Sequence, residues 1–152
     1  MSLLIFENPL KMVFPGYSKM QLNRILRTLA QARVCPAESQ LGLGSLPLHM
    51  FSSRGLLVIL SPLASDDWDI FPRLRAHGNQ GLLICPDPFD FALKTFAQDR
   101  AGLLGLRAAR VERRLELRKI AQLRIRVIDW RVAEPLSPLV YNAFRQSRGG
   151  RG

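Results

Sequence analysis

The amino-acid sequence predicts an α/β protein with three layers, in which a mainly parallel sheet follows an N-terminal antiparallel hairpin. Two continuously apolar runs, at Leu56–Leu60 and at residues 82–85, have the pattern of strands that are buried on both faces. The segment between them, residues 65–78, has helical spacing. Strand, helix and strand in this order predict a βαβ unit, and therefore a parallel sheet.

The hairpin is predicted from two short apolar runs near the N-terminus, at residues 3–6 and 12–14. Asn8 and Pro9 separate the runs, and a Pro-Gly pair ends the second one. A helix is then expected from Ser18. Gln21 follows three residues later, which is the spacing of a capping box. One apolar face of this helix is expected to contain Leu22, Ile25, Leu26 and Leu29.

The connections differ from these elements in composition. Residues 36–54 are rich in Gly, Ser and Pro, so we expect a loop with a short helical turn near 46–51. In the helix at 65–78, Pro72 fits the first turn and Gly78 fits the position after the last turn. Residues 87–102 are rich in aromatic side chains without periodicity, which indicates an irregular connection.

The C-terminal part predicts a long helix at 104–123, a strand at 125–130 and a helix at Leu136–Arg145. The long helix carries two apolar stripes on nearly opposite sides, which indicates a neighbour beyond its own sheet. Arginines make the strand at 125–130 more polar than the central runs, so it is expected at an edge. A disordered basic tail is expected at 148–152.

Composition favours one globular domain, predicted over residues 1–147, because 47% of the 152 residues are hydrophobic and 22% are charged. No apolar run approaches the roughly 18–20 residues that span a bilayer, and the N-terminus lacks the features of a signal peptide. We therefore expect a cytoplasmic protein. Cys35 and Cys85 form no redox or zinc pattern and are expected to be reduced.

The net charge of +10 favours a polyanionic or acidic partner. Ten of the 22 Lys and Arg residues lie between Arg100 and Arg131. The arginine-rich helix is interpreted mainly as a solvated face or a protein contact. A nucleic acid or an anionic membrane surface remains the alternative, although aromatic interleaving and nucleic-acid motifs are absent.

Acidic side chains follow the predicted strands, where ligand crevices of open α/β sheets lie. The simpler, purely structural interpretation is that aspartates cap turns and helices there. The acidic residues in question are Glu7, Asp66, Asp67, Asp87 and Asp129.

No catalytic constellation is evident. Ser61 follows a strand but lacks the Gly-x-Ser-x-Gly elbow of a nucleophile, and the Gly-Leu-Gly at 42–44 lacks the Lys-Ser/Thr of a phosphate loop. His49 and His77 have no nucleophile nearby in sequence. We expect neither an enzyme nor a cofactor.

The order of these elements resembles the bacterial family called domain of unknown function 58, whose members contain a von Willebrand factor A-like domain. Three stretches carry the resemblance, and together they span nearly the whole chain. They are Phe14-Pro15-Gly16 with residues 21–26, residues 57–61, and residues 106–117 with 127–130.

The sequence departs from this family at the metal site. The first strand, which ends in Asp-x-Ser-x-Ser, is not found before Leu3, and the usual Ser-Asp reads Ser61-Pro62 here. A hard divalent cation needs several oxygen ligands held together. We therefore expect no bound metal, only the remains of a site near Ser39, Ser61 and Asp87.

The resemblance implies a protein-interaction module with a degenerate metal site, working with a MoxR-type AAA+ ATPase. The missing first strand implies an exposed sheet edge, and hence self-association or a strand supplied by another chain. The alternative is a small basic nucleic-acid-binding protein. The residues predicted to bind the partner are Arg107, Arg110, Arg113, Arg114, Arg118, Asp129 and Trp130.

Overall fold

The computed structural model divides the chain into two compact units, Met1–Ser45 and Leu46–Gly152. The single domain predicted over residues 1–147 stays a prediction. The structure describes residues 1–5, 9–33, 42–52, 55–63, 67–89 and 100–145. The predictions that fall on Glu7, Cys35, Ser39, Asp66, most of residues 87–102 and the tail lie outside these ranges.

The first unit contains the predicted antiparallel hairpin. Strand β1 (Leu3–Ile5) pairs with β2 (Lys11–Val13), and Leu3 lies opposite Val13. Helix α1 (Lys19–Ala30) follows, as its apolar spacing predicts.

The capping box predicted for α1 is wrong. Ser18 makes no side-chain cap and has a positive φ of 88°. Gln21 is buried, and its Nε2 donates at 2.8 Å to the carbonyl oxygens of both Met1 and Phe14. This amide therefore ties the helix to the N-terminus and to the end of the hairpin, and is not used at the helix's own start.

The second unit is built on a three-stranded parallel sheet in the order β3 (Leu56–Leu60), β4 (Gln80–Pro86), β5 (Arg126–Trp130). Val58 lies opposite Leu82 on β4, and Cys85 lies opposite Asp129 on β5. The α/β class and the parallel pairing are confirmed, and among the described strands β5 lies at the edge, as predicted.

Within its described residues this unit also contains three α-helices: α2 (Ile70–Ala76), α3 (Arg100–Gln122) and α4 (Leu136–Arg145). The bounds of α4 are those predicted. The long helix begins earlier than predicted, so the last residues of the expected irregular connection are helical. Gly78 follows α2 with φ 84°, which confirms its predicted role because a glycine adopts this left-handed conformation without strain.

The helices cover the sheet from two sides. Leu82, Ile84 and Ile128 form a core cluster against α4. The side chains that alternate with them point to the opposite face, where Arg113 of α3 reaches both Cys85 and Asp129. Helix α2 packs against β4 and α3 against β5, which gives three layers.

The prediction that β3 is buried on both faces is wrong. Only Ile59 is buried, whereas the alternate side chains Leu56, Val58 and Leu60 are exposed. The apolar run is the same kind as that of β4, but β3 is the terminal strand of the described sheet. Its face on the α4 side is therefore uncovered.

Candidate functional site

One arginine joins helix α3 to the carboxyl ends of β4 and β5. Arg113 Nη1 donates to Asp129 Oδ1 at 2.5 Å, and its Nη2 lies 3.1 Å from the carbonyl oxygen of Cys85 and 3.2 Å from that of Pro86. Its side chain is 12% exposed. Because both terminal nitrogens bond within the unit, Arg113 braces the helix against the two strand ends.

The electrostatics of this cluster hold a charged arginine beside a neutral thiol. Burial lowers the pKa of Arg113, but the hydrogen bond to Asp129 and the negative charges of Asp129 and Asp87 raise it above its usual value overall. Burial raises the pKa of the Cys85 thiol; Arg113 opposes this, and Asp129 adds to it. Cys85 therefore stays protonated at neutral pH, the unreactive form of a thiol.

A small cavity of about 210 Å³ opens beside this cluster. The residues that line it include Trp68, Cys85, Phe89, Glu112 and Arg113. Arg113 Nε is buried and makes no hydrogen bond among the described residues. The charge of Arg113 is balanced by Asp129, and apolar residues line the cavity together with the acidic Glu112 and Glu116.

The polar groups near the predicted remains of a metal site bond within the chain. Asp87 Oδ1 accepts a hydrogen bond from the Phe89 N–H at 2.9 Å, and Ser61 Oγ accepts one from the Leu63 N–H at 3.1 Å. Ser39 lies outside the described residues. Across the described ranges, no three His, Cys, Asp or Glu side chains are placed to hold a metal ion. That the protein binds no metal stays a prediction.

Arg110 and Trp130 also make contacts within the second unit. Arg110 Nη2 is 3.9 Å from Asp87 Oδ2, and its guanidinium lies 5.5 Å from the centre of the Phe89 ring. Trp130 packs against the core cluster under α4, and its Nε1 donates to the Glu134 carbonyl oxygen at 2.8 Å. Both side chains are half-buried, so they offer a partner only part of their surface.

The outer face of α3 combines exposed apolar and basic side chains. Leu104, Val111 and Leu115 are each about half exposed, and Val111 is 52% exposed. With Ala108 they repeat at intervals of four, three and four residues, which places them in one line along the helix. On one flank of this line lie the exposed residues Arg107, Arg114 and Arg118.

The seven residues predicted to bind a partner therefore fall into separate groups. Arg107, Arg114 and Arg118 lie together on the outer face of α3, whereas Arg113 and Asp129 bond to each other beneath that helix. The sequence is sufficient to predict that Arg113 lies on the sheet-facing side of the helix, because it shares a helical face with Leu106, Leu117 and Ile120.

Sequence reasoning missed the exposed apolar face of β3. A continuous apolar run carries no signal of its position in a sheet, so the run alone could not identify the exposed side chains. The absence of any charge from residues 55–63 is visible in the sequence, but it fits a central strand equally well.

Comparison with models of known protein families, with curated protein sequences and with solved structures found no match. Among the described helices, none has the length and apolar character needed to cross a bilayer.

Proposed function

We propose that this protein is a non-enzymatic interaction module that binds a partner protein through the outer face of α3. The observation that supports it is the line of half-exposed apolar side chains at Leu104, Val111 and Leu115, within a helix whose opposite side packs on the sheet. Apolar side chains aligned in this way on a helix are suited to docking against a second helix or a groove.

The arginine flank defines the chemistry of the partner. Beside the apolar line lie Arg107, Arg114 and Arg118. Arginine is enriched at protein interfaces because its guanidinium donates two hydrogen bonds to one carboxylate while its stem packs on apolar groups. The matching surface is an apolar ridge bordered by Asp or Glu side chains. The net charge of +10 favours encounter with such an acidic surface.

The identity of the partner follows from the sequence resemblance. If the chain is a degenerate von Willebrand A-like domain, the partner is a MoxR-type AAA+ ATPase. A non-enzymatic role is supported by the carboxyl-end cluster, where burial keeps the Cys85 thiol protonated and Arg113 is bonded to Asp129. A cytoplasmic location is part of this proposal.

The alternative function, nucleic-acid binding, uses the same arginines for phosphates. The two functions differ in what they need from Val111. A protein partner packs on its apolar side chain, whereas a polyanion responds to charge alone, so Val111→Lys weakens the first interaction and strengthens the second.

The test measures binding by isothermal titration calorimetry to a purified MoxR-type ATPase and, separately, to a mixed-sequence DNA duplex and a single-stranded RNA. We expect the wild-type protein to bind the ATPase and Val111→Lys to weaken that binding at least about tenfold. Val132→Lys is the matched control, since Val132 is exposed but lies outside α3.

Two results would overturn the proposal. One is that Val111→Lys and Val132→Lys bind the ATPase as well as the wild type does. The other is that the ATPase does not bind, while duplex or RNA binds tightly with a steep salt dependence and more tightly still after Val111→Lys.

A further inference from the structure

Strand β3 has an outer edge along which no strand of the described ranges pairs. The Gly55 carbonyl oxygen accepts from the Gln80 N–H at 3.1 Å, and the Ser61 N–H donates to the Ile84 carbonyl oxygen at 3.2 Å. Residues of a parallel strand direct their backbone groups alternately to one side and the other. Odd-numbered residues 55–61 therefore bond to β4, and the even-numbered ones between them face the open edge.

The residues that face the open edge with their backbone also expose their side chains. Leu56, Val58 and Leu60 are 44%, 50% and 63% exposed, and they share one face of the sheet. Unpaired backbone groups and uncovered apolar side chains thus coincide along a single strand.

This edge lacks the features that usually block pairing with another strand. Exposed edges are commonly protected by charged side chains, especially lysine, or by proline within the strand. Residues 55–61 contain neither, and Pro62 comes only after the strand has ended. In a chain with 22 basic residues, an uncharged edge is a place where two copies can meet without facing like charges.

We propose that two copies of this chain pair antiparallel along β3 and join their three-stranded sheets into one continuous sheet. Val58 lies opposite Val58 of the second copy, and Leu56 lies opposite Leu60 of the second copy. All of these residues direct their free backbone groups outward, so each opposed pair exchanges two hydrogen bonds.

The arrangement is self-complementary, which is why the occupant is a second copy and not an unrelated peptide. A two-fold axis through the Val58 pair brings the exposed apolar faces of both copies to the same side of the joined sheet, where they form one patch. One antiparallel pair closes the β3 edges of both copies at once, so association through β3 stops at the dimer.

Salt dependence separates this contact from the proposed binding through α3. Two copies with a charge of +10 each repel one another, so added salt screens the repulsion and tightens an uncharged contact. Binding of an acidic partner or a nucleic acid weakens as salt is added. The inference does not depend on the proposed function, because it uses β3 alone.

Sedimentation equilibrium over a range of concentrations, at low and high salt, tests the proposal. We expect a monomer–dimer equilibrium whose dissociation constant falls as salt is raised. Val58→Lys places two ammonium groups opposite each other and raises that constant at least about tenfold, whereas Val132→Lys does not. A wild type that stays monomeric throughout would overturn the proposal, as would a dimer that Val58→Lys leaves intact.

A cross-linking experiment keeps the proposal testable if Val58→Lys fails to fold. In the proposed register, the Cα atoms of the Val58 pair lie about 5.5 Å apart, within the range that a disulfide spans. Val58→Cys is therefore expected to form a disulfide-linked dimer under mild oxidation, and Val132→Cys is not. Equal cross-linking of the two variants, or none at residue 58, would contradict the proposed pairing.

Discussion

Strands β3 and β4 have nearly the same sequence character and very different surroundings. Both are apolar runs that follow a glycine, yet Leu82 and Leu83 of β4 are buried on opposite faces, whereas β3 buries Ile59 and leaves its other face open. The difference comes from position, because β4 has a strand on each side and helices on both faces. An apolar run thus indicates that both faces of a strand are apolar. The position of the strand in the sheet determines whether other parts of this chain cover those faces.

The largest expected effect contrasts a leucine on each strand. Leu83 is 0% exposed and Leu60 is 63% exposed. Leu83→Ala removes packing that cannot be rebuilt and is expected to lower the free energy of unfolding by about 2–5 kcal/mol. Leu60→Ala is expected to change it by less than about 0.5 kcal/mol.

Urea denaturation at low protein concentration measures both variants without a contribution from self-association. If Leu60→Ala costs as much as Leu83→Ala, then β3 is covered in the folded monomer, and the contrast between the two strands is incorrect.

How well each part of the fold could be predicted depends on whether neighbouring residues or a distant segment determine it. Local patterns were sufficient for the bounds of β3 and α4 and for the position of Gly78 just after α2, since each depends on a few neighbouring residues. The exposure of β3 and the use of Gln21 were not predictable, because each depends on a segment that is distant in sequence.

The sequence predicted which residues belong to the candidate site better than it predicted how their side chains are arranged. The number of basic residues identifies α3 as the basic element, but it does not distinguish the arginines on one face of this helix from those on another. Helical periodicity separates them: Arg113 falls among the sheet-facing positions, and Arg107 and Arg114 fall beside the outer apolar line. The hydrogen bond from Arg113 to Asp129 depends on where β5 ends, and the periodicity of α3 carries no information about that position.

An intermediate effect is expected from the brace between α3 and the strand ends. Arg113→Met keeps most of the side-chain volume but removes the donors to Asp129 and to the carbonyls of Cys85 and Pro86. Leaving the partly buried carbonyl oxygens of Cys85 and Pro86 without donors costs about 1–3 kcal/mol. The neighbouring exposed residue gives a matched control, and Arg114→Met is expected to change stability by less than about 0.5 kcal/mol.

Thermal and urea unfolding of the two arginine variants compare the inner and outer sides of one helix turn. Equal destabilisation would mean that the bonds of Arg113 contribute nothing beyond the packing of its stem. A loss confined to Arg113→Met would extend the contrast between buried β4 and exposed β3 to the helix that covers the sheet.

The smallest effect concerns the thiol at the carboxyl end of β4. Burial raises the pKa of Cys85 above that of an unfolded thiol, so the folded protein holds its proton more tightly. Below the unfolded pKa of about 8.5, both states are protonated and the stabilisation is fully present. As pH rises above that value, the unfolded thiol ionises first, and the free energy of unfolding falls until the folded pKa is reached.

The measurement is urea denaturation of the wild type and of Cys85→Ala between neutral and alkaline pH. Other groups titrate in the same range, but they are common to both proteins, so the difference between the two pH profiles isolates Cys85. We expect the wild type to lose stability more steeply above about pH 8.5. Parallel profiles would show that the thiol reaches solvent, and that β4 is less protected at its carboxyl end than at Leu83.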